Sequence, residues 1–79
     1  MTKKEWKEIL QLIKDNFYYS PIFQEYNDED VFTNEEVDVV YLGDMGFHKN
    51  GDITIGVYYQ TIAENRTAEQ IKVIITNLL

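Results

Sequence analysis

Cysteine is absent from this chain of 79 residues, and so are long apolar runs. The lack of cysteine excludes disulfide bonds, thiolate metal ligands and a cysteine nucleophile. The longest apolar runs are far shorter than the ~20 residues that a membrane-spanning helix needs. The first residues mix lysines and acids with apolar side chains, unlike a secretory signal. We therefore expect a cytoplasmic protein.

The chain contains few of the side chains and motifs that usually perform catalysis. The only histidine is His48, and the only serine, Ser20, precedes Pro21 without the strand–turn–helix context of a catalytic serine. The four glycines are scattered and form no phosphate-binding loop. We predict that the chain is not an enzyme and that it holds no cofactor.

Oxygen ligands are plentiful, but their spacing fits no metal site. Counted from Asp28, a calcium-binding EF-hand loop needs an oxygen ligand at its fifth position and glycine at its sixth. This chain has Phe32 and Thr33 there. The polar residues from Asp44 to Asp52 alternate around a turn without matching a known ligand pattern. No metal site is predicted.

Each end of the chain predicts an amphipathic helix. The first runs from Thr2 to about Phe17, because Thr2 and Glu5 have the spacing of a capping box. Its apolar stripe consists of Trp6, Ile9, Leu10, Ile13 and Phe17. The second follows Thr67, whose capping-box partner is Gln70, and continues to the last residue. Its stripe consists of Ile71, Ile74, Ile75 and Leu78, with Val73 and Leu79 at its edges.

Residues 37–61 predict a β-hairpin. Its turn is Asn50-Gly51, because this pair readily adopts the positive φ angles of a two-residue type I′ turn. The strand after the turn has an alternating pattern, and its buried side is Ile53, Ile55, Val57 and Tyr59. The first arm, Val37–Leu42, is interrupted by Gly43 and Gly46, which indicate a bulge or the close approach of another backbone. The register is therefore left open.

The stretch between the first helix and the hairpin is irregular. Pro21 ends the helix, and residues 22–26 are compatible with a short strand or one turn of helix. The chain as a whole predicts one α+β domain over residues 1–79. It has an N-terminal helix, an irregular acidic segment, an antiparallel β-hairpin or three-stranded sheet, and a C-terminal helix. Both helices pack on one face of the sheet.

Charge is distributed unevenly along the chain. Fourteen acidic residues outnumber seven basic ones, which gives a formal net charge of −7. No lysine or arginine occurs in the thirty-four residues from Asp15 to His48. Eight acids lie between Gln24 and Asp44, with aromatic residues among them. The predicted partner-binding residues are Glu25, Tyr26, Asp28, Glu29, Asp30, Glu35, Glu36, Asp38, Tyr41 and Asp44.

This charge favours a basic protein as the partner. Nucleic acid and anionic membranes need clustered lysine and arginine, so neither is expected to bind directly. Spaced carboxylates can imitate the phosphates of a nucleic acid, and aromatic rings add contact area. We therefore expect an inhibitor or decoy that binds a basic, nucleic-acid-handling protein. Its size and acidity are also typical of anti-CRISPR and anti-restriction proteins, inhibitors of DNA repair enzymes and bacteriocin immunity proteins, although no family motif can be placed on these residues.

Two other interpretations stay open. In the first, the acids form a solvated loop that only keeps the protein soluble. In the second, the chain is a structural or assembly module that forms a homodimer, or docks into a larger complex, through the hairpin edge. Exposed tyrosines from the pairs Tyr18-Tyr19 and Tyr58-Tyr59 would then join that interface.

Overall fold

The computed structural model describes residues 1–56, 58 and 60–79. These residues contain three helices and four strands, which are α1 (Lys3–Phe17), α2 (Pro21–Gln24), β1 (Val39–Leu42), β2 (Met45–His48), β3 (Ile53–Ile55), β4 (Gln60–Ala63) and α3 (Ala68–Thr76). The strands form one antiparallel sheet in chain order, with β1 and β4 at its edges. The predicted α+β class is confirmed, with one strand more than the larger predicted sheet.

The first helix agrees with its prediction. The Thr2 hydroxyl accepts from the N–H of Glu5 at 3.1 Å, and the Glu5 carboxylate accepts from the N–H of Thr2 at 2.8 Å. This capping box satisfies N–H groups that the first turn leaves without a helical partner. Most of the predicted apolar stripe is buried, and Leu10 is half-buried at its edge.

The last helix begins as predicted but ends earlier. Thr67 and Gln70 form the second capping box, and Ala68, Ile71 and Ile75 are buried. The helix stops at Thr76 and has a C-cap, Asn77, so its predicted continuation to the last residue is wrong. The N–H of Leu78 donates to Ile75, three residues back. Such a bond tightens the last turn, and Leu78 is 41% exposed instead of completing the stripe.

A turn at Gly43 and Asp44 divides the predicted first arm into β1 and β2. Leu42 pairs with Met45 across a two-residue loop, and Gly43 has φ +62°. A positive φ at the first loop position is the arrangement of a type II′ hairpin turn. The predicted bulge is therefore a complete change of direction. Gly46 lies inside β2, where a Cβ would be 2.7 Å from the Thr54 hydroxyl and 3.0 Å from the Tyr41 ring.

The loop between β2 and β3 contains Gly51, but it is not a two-residue type I′ turn. The N–H of Gly51 donates to His48 and the N–H of His48 donates to Asp52, which encloses a three-residue loop. Gly51 has φ +94°, whereas Asn50 is not among the residues with positive φ. Asn50 uses its side chain instead, accepting from the N–H of Asp52 at 2.9 Å.

The strand after this loop is shorter than predicted. β3 ends at Ile55, because Gly56 adopts φ +76° and donates its N–H to the carbonyl of Asp44 at 2.9 Å. The predicted inward positions Val57 and Tyr59 lie outside the described residues, and Tyr58 is 95% exposed. The chain then returns as β4, which contains a register shift opposite Ile53 and Thr54.

The core lies between one face of the sheet and the two long helices. Val40, Phe47 and Ile53 are cross-strand neighbours and are buried. They join the buried stripes of α1 and α3 in one cluster, as predicted. None of the described helices has the length and apolar character needed to cross a membrane.

Candidate partner-binding surface

The acidic segment, residues 24–44, begins at the end of α2 and includes β1. Its loop, residues 25–38, lies along the outer edge of that strand. Asn27 attaches it to the strand. The Asn27 amide donates to the carbonyl of Tyr41 at 2.7 Å and accepts from its N–H at 2.9 Å. The N–H of Gly43 also donates to the carbonyl of Ile22 at 2.8 Å. These bonds occupy backbone groups that an edge strand otherwise offers to another strand.

Aromatic stacking holds the segment against the end of α1. The rings of Phe23 and Phe32 are stacked, with centroids 5.0 Å apart and planes within 8°. Tyr18 stacks on Phe23 at 6.1 Å, and the Lys14 ammonium lies 5.8 Å from the Phe32 centroid. Val31 is buried and belongs to the same core cluster as Phe23. The loop backbone is therefore anchored from the apolar side, which leaves its charged side chains to face solvent.

All eight carboxylates of the acidic segment are exposed. Within the described residues, none of their side chains forms a hydrogen bond or an ion pair. The acids outside the segment differ, because five of these six have a partner. They are Glu5, Glu8, Asp15, Asp52 and Glu69, and the sixth is Glu64. Carboxylates without a partner inside the fold are available to an external cation.

Four of the predicted binding residues surround one groove. Tyr26, Asp28, Asp30 and Tyr41 line a space of about 210 Å³ between the acidic loop and β1, with Asn27 at its wall. Asp28 and Glu29 also line a neighbouring groove of about 540 Å³, whose lining includes Tyr18 and Phe23. The structure therefore combines carboxylates with aromatic faces, and both attract cations such as arginine.

The other predicted residues are spread around this centre. Glu25 is the C-cap of α2, and Glu35 and Glu36 lie four and five residues after the buried Val31. Asp38 lies on the side of His48 and Lys49, and Asp44 occupies the turn between β1 and β2. The ten residues thus form a belt that follows the β1 edge and extends towards α1, where Glu35 borders a groove with Lys3 and Lys7, and they do not form a single pocket.

The histidine has a structural partner. The His48 Nε2 lies 2.8 Å from the Thr54 hydroxyl, on the neighbouring strand. Both residues lie on the sheet face opposite the core, as the strand register shows. In the described part of the chain, no group of three histidine, aspartate or glutamate side chains is arranged to hold a metal ion.

Sequence reasoning missed the residues that position the acidic belt. Asn27 is the only uncharged polar residue between Tyr26 and Val31, but nothing in the pattern assigns it to a strand fourteen residues later. Phe23 and Phe32 are separated by nine positions and become neighbours only because the loop folds back. Comparisons of the chain with protein-family models, with curated proteins and with solved structures find no match.

Proposed function

We propose that this chain is a small cytoplasmic inhibitor that binds a basic, nucleic-acid-handling protein through its acidic belt. The belt consists of the ten residues predicted above. It imitates a nucleic-acid backbone and excludes the nucleic acid by competition, in the manner of anti-CRISPR, anti-restriction or immunity proteins. The chain itself performs no catalysis in this proposal.

The observation that carries the proposal is the absence of internal partners for the belt carboxylates among the described residues. Eight like charges along one edge repel each other, which opposes folding in a domain of marginal stability. The fold gains no ion pair from them in return. A cationic partner would relieve that repulsion, and charge complementarity would accelerate the encounter.

The aromatic residues give the belt more than charge. Tyr26 is half exposed beside Asp28 and Asp30, and Tyr18 is exposed beside Asp28 and Glu29. An arginine of the partner would meet a carboxylate and a ring face together. Rings also bury large contact area with little loss of conformational freedom, which is why they dominate many interfaces.

The test begins with capture of the partner from the native host and continues with binding titrations. Reversal of Asp28, Asp30, Glu35 and Glu36 to lysine moves the formal net charge from −7 to +1, since each reversal adds two units. All four are exposed, so circular dichroism should show an intact fold. The variant should no longer bind, and nucleic acid should displace the wild-type chain from its partner. Wild-type binding should also weaken as salt rises, because screening shortens the range of charge attraction.

A pair of single variants controls for net charge. Asp30→Lys and Glu64→Lys change the charge equally, and both replace an exposed carboxylate without a partner among the described residues. Asp30→Lys should weaken binding strongly, whereas Glu64→Lys, outside the belt, should weaken it little. If the folded four-lysine variant binds as tightly as wild type, the belt only promotes solubility. Equal losses in the two single variants would show a general charge effect and not a surface.

The alternative is a structural or assembly module that uses a sheet edge. The contacts of Asn27 and Ile22 with β1 disfavour that edge as a site of strand addition. The edge at β4 is different, because no described residue is hydrogen-bonded to its outer side.

A further inference from the structure

The second edge of the sheet, β4, is open. Gln60, Thr61 and Ile62 are exposed, and no described residue is hydrogen-bonded to β4 from its outer side. An unpaired strand presents a row of free N–H and C=O groups to any strand that approaches. At the β1 edge, by contrast, Asn27 and Ile22 already occupy such groups.

An apolar groove of about 570 Å³ lies beside this open edge, between β4 and α3. Its apolar lining consists of Met45, Ile53, Ile62, Ala63, Val73 and Ile74. Ile62 is 51% exposed and Val73 is 59% exposed, so the β4 side and the α3 side of the groove each carry one large exposed apolar side chain. Exposed apolar surface next to an unpaired edge is typical of an interaction site.

The charge around the groove is balanced. From residue 45 to residue 79, three acidic residues face three basic ones, and the whole excess of negative charge lies in the acidic segment. Arg66 and Glu69 of opposite sign both border the groove. Two copies of a chain with charge −7 repel each other least when they meet here, because the acidic belts then lie at the far edges of the two sheets.

We infer that the β4 edge and its groove bind a second copy of this chain. A twofold axis normal to the sheet pairs β4 with β4 in antiparallel order and gives a continuous eight-stranded sheet. The same axis keeps both helical layers on one side, so the two grooves meet and the Ile62 and Val73 side chains of both copies become buried together. A foreign strand could pair with the edge, whereas a second copy also brings the same exposed apolar groove to the contact by symmetry. The inference is independent of the inhibitor proposal, and the dimer would carry one acidic belt at each end.

The oligomeric state of the purified chain tests the inference. Sedimentation equilibrium from about 10 μM to about 1 mM covers the range of weak specific association, and wild type should shift from monomer to dimer. Ile62→Lys should weaken the dimer at least tenfold, because it places a charge in an apolar contact. The change lowers the net negative charge of each copy, so repulsion between the overall charges of the two copies cannot explain the loss. Val73→Lys, on the α3 side of the groove, should have the same effect. It tests the same interface if Ile62→Lys fails to fold.

Ile22→Lys is the matched control. Ile22 lies at the opposite edge, is 38% exposed, and undergoes the same change of side chain and charge. It should leave the dimer constant unchanged. A wild-type chain that stays monomeric over the whole range would overturn the inference and leave the groove to another occupant. So would a dimer that Ile22→Lys disrupts while folded Ile62→Lys and Val73→Lys do not.

Discussion

The two edges of the sheet satisfy their exposed backbone groups in different ways. At β1, the Asn27 side-chain amide binds the strand, a carbonyl of α2 binds the residue that follows it, and eight free carboxylates lie nearby. At β4, the outer side of the strand has no partner among the described residues, the local charge is balanced, and apolar side chains are exposed. Acidic charge and a bound loop both oppose strand addition, whereas a neutral open edge permits it. The edges therefore suit different partners.

Because the edges differ, the net negative charge and the exposed apolar surface lie in different regions of the molecule, which the overall composition cannot show. The net charge of −7 belongs entirely to one segment, and the exposed apolar groove lies outside it. A small domain can thus keep one surface for a charged partner and another for an apolar one. Binding at the belt should depend on salt, and association at β4 should depend on it far less.

The largest effect is expected where the chain after β4 is attached to the rest of the fold. Gly51→Ala should cost about 4 kcal/mol or more, near the upper limit for a single substitution. A Cβ at Gly51 would overlap the carbonyl of Arg66 and lie 2.9 Å from its nitrogen, and φ is +94°. Gly43→Ala, in the turn of the acidic edge, should cost only about 1–2 kcal/mol of backbone strain. Its φ is +62°, but nothing lies within 4 Å of the added atom. Urea unfolding measures the free energy of unfolding of both variants. Equal losses would mean that the space around the added Cβ does not decide the cost at these two turns.

A smaller loss is expected when the acidic segment is detached from β1. Asn27→Ala should cost about 2 kcal/mol, because it removes the three hydrogen bonds that the Asn27 amide forms with Tyr41 and Phe23. Asn16→Ala, which loses one exposed bond to Leu12, should cost less than about 0.5 kcal/mol. Hydrogen exchange of the Tyr41 amide should accelerate only in the Asn27 variant. Unchanged exchange would show that the amide does not protect this edge.

The smallest effect concerns an acid that has a partner. The Lys72 ammonium lies 2.8 Å from the Glu8 carboxylate and joins α3 to α1. This hydrogen bond holds the pKa of Glu8 below its ordinary value of 4.5. Because the folded-state pKa is depressed, Glu8 contributes its full stability above pH 4.5, and the contribution is lost as the pH falls through the folded value.

Glu8→Gln should therefore reduce the loss of stability on acidification below pH 4.5. The change should be small, since the pair is exposed. Glu64→Gln, outside the belt and without a side-chain partner among the described residues, is the control and should have the smaller effect on this dependence. Urea midpoints at neutral and acidic pH give the comparison. If both variants changed the pH dependence of the urea midpoint equally, the partner of Glu8 would not explain its contribution to stability.

The sequence predicted those features that depend on neighbours along the chain. The capping boxes at Thr2 and Thr67 and the buried stripe of α1 are local patterns, and each is found where its spacing placed it. The extent of the strands was predicted less well. Gly43 and Gly56 allow a change of direction, but their residue type does not say whether the chain bends slightly or reverses. That outcome depends on contacts such as the bond from Gly56 to Asp44.

The candidate site divides in the same way. The acidic belt could be predicted because uncompensated charge is visible in composition, and charged side chains face solvent wherever a loop lies. The assignment of that belt to the β1 edge depends on Asn27 and Tyr41, fourteen residues apart. The groove at β4 joins Ile62 to Val73 across the last loop, and no periodicity in either element indicates that they meet. Sequence alone thus determined where the two long helices begin, the fold class and the charge. Only the tertiary structure decided which sheet edge is covered and which is open, because long-range packing selects the pairs that touch.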